Sequence, residues 1–116
     1  MTCTRLRRET RQRLIDLRPI HTAFVGARVR PVLVLTRAVA LGYLSWVSVA
    51  PITSTLRRLA VEVLVGPSNG LDHDSVVNLD NVVTIKKSDL GGRIGYLLSA
   101  QEPELTAALH AAYDLD

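Results

Sequence analysis

From Pro19 to Leu98 the chain reads as a succession of short β-type runs, each closed by a turn residue. "PIHTAFV" (19–25) alternates weakly and ends at Gly26. "PVLVLT" (31–36) is continuous, β-branched and too short for a helix, so it reads as a buried strand beginning at Pro31. "LSWVSVAPI" (44–52) alternates, with Leu44, Trp46 and either Val47 or Val49 as candidates for the inner face. "AVEVLV" (60–65) is closed by "GPSNG", a turn signal. "SVVNL" (75–79) and "NVVTIK" (81–86) follow, and "GGRIGYLL" (91–98) comes after a Gly91–Gly92 turn.

The C-terminal segment has a different period. Ser99 and Glu102 have the S-x-x-E spacing of a capping box, and Pro103 stands in a first helical turn, where a missing N–H costs little. Leu105, Ala108, Leu109 and Ala112 then recur at helical spacing. The pattern predicts a mainly β chain: a small, strongly curved sheet or barrel closed by one C-terminal helix. With one Phe and one Trp, its core is aliphatic.

Composition bounds the class. A length of 116 residues, 47% of them apolar, suits one core and not two. No run approaches the roughly 18 apolar residues of a membrane span, and no signal peptide pattern follows the basic start. A lone Cys3 forms no internal disulfide, fits a cytoplasmic setting and excludes a Cys-based zinc site. The net charge of +3 is carried entirely by residues 1–17, where five arginines face Glu9 and Asp16. The chain therefore divides into a basic extension, 1–17, and a charge-balanced domain, 18–116. A flexible arm is the plain reading of the extension, and an arm that contacts RNA or a partner protein is its rival.

Most catalytic chemistries find no purchase. His21, His73 and His110 fall on a strand, a loop and a helix with no pair at ligand spacing. "LDHD" (71–74) reads as a solvated turn before it reads as a metal site, and no metal or cofactor is expected. "GGRIG" precedes a strand and does not open a helix, so it is no phosphate loop. No G-x-S-x-G elbow is present, and no histidine is recognisably placed as a base. There remain Arg30, before one strand, and the hydroxyls Thr53 and Ser54, after another. Each alone has a plain reading, as a sheet-edge arginine or as turn formers.

Their order along the chain is more informative. "RPVLVLT", "VAPITST", "NGLDHDSVVNLDNVVTI" and "SDLGGRIGYLLSAQEPEL" follow one another at the spacing of the MazF/PemK/Kid toxin endoribonucleases, which the chain resembles over roughly residues 18–115. The apolar strands resemble the mycobacterial branch. The resemblance implies an SH3-like barrel of the CcdB/MazF type, a homodimer with RNA across its interface, and a cognate antitoxin whose C-terminal segment covers the site. It implies metal-independent transesterification, in which the ribose 2′-OH attacks the adjacent phosphate and leaves a 2′,3′-cyclic phosphate and a 5′-OH end. The family's catalytic arginine and threonine map onto Arg30 and Thr53.

The residue types suit that role. Arginine offers a planar fork of donors and stays charged, so it stabilises developing charge on phosphate and makes a poor base. A threonine hydroxyl donates to the same phosphorane. Arg28, Ser54, Thr55, Arg57 and Arg58 are the candidates for further RNA contacts; solvated charge and turn capping compete with that reading. Asp80 and Asn81 stand where relatives often carry an acid and an amide, with a structural role expected. The chain departs from the family in two places. Its first strand, "RPIHTAF", lacks the Gly and acid of "RGDIY"-like relatives. The loop that follows, often long in relatives, is reduced to "GARV" (26–29), which leaves base recognition and the choice among mRNA, tRNA and rRNA open. Two other functions stay in view. One is a gyrase-binding toxin like CcdB, which does not need the Arg30–Thr53 pair. The other is a plain RNA-binding barrel, disfavoured by the scarcity of exposed aromatics for base stacking.

Overall fold

The computed structural model describes residues 17–36 and 41–114, so expectations for residues 1–16 lie outside the described residues. Seven strands appear in chain order: β1 (Pro19–Val25), β2 (Arg28–Val34), β3 (Trp46–Thr53), β4 (Glu62–Val65), β5 (Ser75–Asn78), β6 (Val83–Lys86) and β7 (Leu90–Tyr96). One helix, α1 (Glu102–Tyr113), ends the described chain. The strands form a curled antiparallel sheet in the order β4-β5-β3-β2-β1-β7, with β6 paired to β3. β3 is the hinge of the curl. Residues 46–49 pair with β6 and residues 52–53 with β5, while residues 49–51 pair with β2.

Burial on both faces explains the unbroken apolar run in β2. Val32, Leu33 and Val34 are consecutive and all fully buried. Because side chains alternate along a strand, Leu33 joins Ile20, Ala50, Ile52 and Val77 on one face. Val32 and Val34 join Ala23, Val47 and Val49 on the other. The first face is closed by α1 through Leu105 and Ala108, as the helical spacing predicts. Truncating Leu33 to Ala there would cost about 2–5 kcal/mol.

Several local expectations are corrected. β2 begins at Arg28, so Pro31 is its fourth residue and not its first. The ladder to β3 starts only at Val32, and a missing N–H at Pro31 stands at that boundary. The β1–β2 connection is tighter than "GARV": two residues, Gly26 and Ala27, both at positive φ, turn the chain as a right-twisted hairpin requires. Leu44 and Trp46 are exposed, while Val47 and Val49 are both buried. The alternation was there, but its phase was set by the packing of Val49 beside Val34. Gly91 and Gly92 belong to β7 and are not a turn. Gly91 lets β7 lie close on β1, since a Cβ there would overlap Thr22 Oγ1. Ser99 does not cap α1 with its side chain. Residues Ser99–Gln101 make a single 3₁₀ turn, and Gln101 Oε1 accepts from Leu98 N at 2.8 Å. The Glu102 carboxylate is engaged by Arg18 instead.

Candidate active site

The two strands that carry Arg30 and Thr53 bring them to one end of the sheet. Arg30 lies in the hairpin half of β2, pairing with Ala23 of β1, and Thr53 is the last residue of β3. Between them opens a hollow of about 480 Å³. β2 contributes Arg28, Val29, Arg30 and Pro31, and the end of β3 contributes Ile52, Thr53 and Ser54. Thr22 of β1, Ser75 of β5, Ile94 of β7 and the loop 70–73 complete the wall.

Arg30 is half-buried, and its Nε is buried with no hydrogen-bond partner among the described residues. An unpaired buried donor is costly, about 1–3 kcal/mol and more for a charged group. The Arg30 side chain also lines the hollow. Thr53 is poised differently. Its Oγ1 accepts from Thr55 N at 3.2 Å, which occupies a lone pair and leaves the hydroxyl proton free to donate. A guanidinium and a hydroxyl lining one hollow are donor types suited to phosphate oxygens.

Of the other sequence candidates, Arg28 and Ser54 also line the hollow. Thr55, Arg57 and Arg58 do not. They belong to the exposed segment after β3, folded back by Glu62, whose Oε1 accepts from Arg57 N and Leu59 N at 3.2 and 3.1 Å. Asn78, not Asp80 or Asn81, makes the local side-chain bond there, accepting from Asp80 N at 2.9 Å.

Thr22, Asp72, His73 and Ser75 were missed as site residues. For Asp72 and His73 the local signal was the run "LDHD", and nothing local shows that this loop folds against β2. The loop is anchored from below by Asn69, which is buried. Its Nδ2 donates to Tyr96 O and to Gln101 Oε1 at 2.9 and 2.7 Å, and its Oδ1 accepts from Gly66 N at 3.0 Å. Gly70, in the left-handed region, lies so close to β7 that a Cβ would overlap the Ile94 carbonyl. Asp74 turns the other way, onto a second hollow with Gly66 and Gln101.

Comparison with known proteins identifies the family. Residues 13–113 match the model of the PemK-like, MazF-like toxin of type II toxin-antitoxin systems. The chain belongs to that family. A curated relative, endoribonuclease MazF3 of Mycobacterium tuberculosis, is 54% identical over 100 residues, covering 86% of this chain and 96% of the relative. The solved structure of the M. tuberculosis toxin MazF-mt6 is 55% identical and superposes with a TM-score of 0.83, over 85% of this chain and 99% of that one. A mycobacterial endoribonuclease solved in complex with its cognate antitoxin is 28% identical, with a TM-score of 0.76 over 86% and 96% of the two chains. The MazF-like fold, a half-barrel with one C-terminal helix, is therefore shared with these structures. Among the described residues no helix is long and apolar enough to cross a membrane.

Proposed function

We propose that this MazF-like toxin is an endoribonuclease that cuts RNA by metal-independent transesterification, with Arg30 and Thr53 on the scissile phosphate. The observation that carries the reading is the shared hollow, which both Arg30 and Thr53 line. The curated relative's name, an endoribonuclease, supports the activity. Attack by the 2′-OH needs no external nucleophile. The protein has to hold the phosphate in line and neutralise the charge that builds on its oxygens, which a guanidinium and a hydroxyl do.

Arg28 and Ser54 flank the same hollow and extend the contact to neighbouring phosphates. Thr55, Arg57 and Arg58, exposed beside it, track the strand as it leaves. The domain spans 18–116 with 1–17 as a basic extension. It works in the cytoplasm as a homodimer, because a small aliphatic core gains buried apolar area from a shared interface. A cognate antitoxin holds it in check by laying a segment across the hollow, a reading supported by the antitoxin complex solved for the mycobacterial relative.

The test is cleavage of a long mixed-sequence RNA in excess EDTA by the purified protein beside Arg30→Ala and Thr53→Ala, with product ends mapped. Cuts at a few short sites with 5′-OH ends, lost in both variants, are expected. Absence of cleavage by the unaltered protein, with growth arrest intact in cells, would move the target to a protein such as gyrase.

A further inference from the structure

Transesterification needs one thing that Arg30 and Thr53 do not supply. The 2′-OH must lose its proton as it attacks, and neither an arginine, always charged, nor an aliphatic hydroxyl accepts a proton near neutral pH. A side chain that lines the hollow can serve as the acceptor. Among the described residues its lining offers two side chains of the right kind, Asp72 and His73. Imidazole is the side chain whose ordinary range brackets neutrality, and it is much the stronger base of the two.

We propose that His73 is the general base of the cleavage reaction. This rests on the transesterification reading above and deepens it. The segment that bears His73 lines the hollow and is pinned there. Ser75 Oγ donates to His73 O at 3.2 Å, fixing the backbone at the mouth of β5. Upstream, Gly70 locks the same segment onto β7, and the buried Asn69 ties it to Tyr96 and Gln101. His73 thus stands on a short, pinned loop facing the hollow, and its neighbour Asp74 faces the other way. The charged side chains that share the hollow with it are Arg28 and Arg30 of β2 and Asp72 of its own loop. The other strands present only hydroxyl and apolar groups there.

The step balances as follows. The imidazole takes the 2′-OH proton, the O2′–P bond forms and the P–O5′ bond breaks. The upstream fragment keeps a 2′,3′-cyclic phosphate, and the leaving 5′-oxygen takes a proton from water. The imidazolium then gives its proton to the hydroxide so formed, which restores the base.

The experiment compares the full-length protein with His73→Gln on an RNA containing one cut site, in EDTA, across the neutral pH range. Binding is measured in parallel on the same RNA with 2′-deoxy at the cut. For His73→Gln, kcat should fall by about 10²–10⁴ with binding changed less than about threefold. The pH dependence of kcat should differ between the two proteins, and added imidazole should restore part of the rate. A variant that cleaves at the unaltered rate, with the same pH profile, overturns the proposal while leaving the ribonuclease reading standing. So does a lost rate that imidazole does not restore and that is matched by lost binding, which would make His73 a binding residue. Failure of the unaltered protein to produce 5′-OH ends would instead overturn the ribonuclease reading, and this proposal with it.

Discussion

Arg30 and Gly26 meet across the β1–β2 turn: Arg30 Nη2 lies 3.6 Å from the point where a Cβ on Gly26 would stand. That separation is ordinary contact, so space does not dictate glycine there. The backbone does, with φ at +61°. Gly26→Ala should therefore lower stability by about 1 kcal/mol through strain in the left-handed region. Urea unfolding followed by circular dichroism measures it, and an unchanged midpoint would sink the argument.

Charge alone at position 30 is not enough. Arg30→Lys keeps the positive charge but loses the planar fork, and a single ammonium cannot both face the hollow and span two phosphate oxygens. Cleavage should drop by about 10²–10³, the usual cost of one lost donor to a charged transition state. Single-turnover rates on a defined RNA check it. Near-normal rates would mean that Arg30 acts only as a point charge.

Asn69 ties together three parts of the chain: Gly66, Tyr96 and Gln101. Asn69→Ala leaves the Gly66 N–H and the Tyr96 carbonyl without these partners in a buried site, a loss of about 2–4 kcal/mol. Because the same anchor holds the loop bearing His73, cleavage should fall further than stability explains. Denaturant midpoints and kcat, measured under conditions where the variant is fully folded, separate the two effects.

Gly95 faces Asn69 from β7, and a Cβ there would overlap the Asn69 carbonyl. Since the obstacle is backbone and not the end of a flexible side chain, Gly95→Ala forces β7 and the loop apart. The expected cost is at least about 2 kcal/mol, read as a shift in thermal or denaturant midpoint. A neutral result would show that the loop gives way freely.

Arg18 and Glu102 offer a contrast. Arg18 Nε lies 3.2 Å from Glu102 Oε1, but the two side chains are 30% and 37% exposed. Glu102→Gln should cost no more than about 1 kcal/mol, and less at high salt. A double-mutant cycle with Arg18→Gln measures the coupling.

The strands were readable because their signals are local. "PIHTAFV" ends at a glycine that turns the chain, "GPSNG" supplies the left-handed Gly70, and Leu105 and Ala108 fall on the buried side of α1 at helical spacing. Boundaries and phases were less secure. Whether Trp46 or Val47 faces the core depends on which neighbour β3 packs against, and whether Gly91 turns or extends depends on how closely Thr22 approaches.

The sequence by itself determined that this is a mainly β, aliphatic chain with a C-terminal helix and, through the order of its motifs, a MazF-like toxin with Arg30 and Thr53 as the pair to watch. Periodicity and motif order are properties of neighbours in the chain, and they survive without a fold. Tertiary structure decided what those residues share a space with. It brought the loop 70–73 from between β4 and β5 to a hollow walled by β2 and β3, and so set His73 beside residues more than forty positions earlier in the case of Arg28 and Arg30. That meeting depends on the curl of the sheet about β3 and on backbone contacts at Gly70 and Gly95. No spacing in the sequence encodes either, because both are distances between segments that only packing brings together.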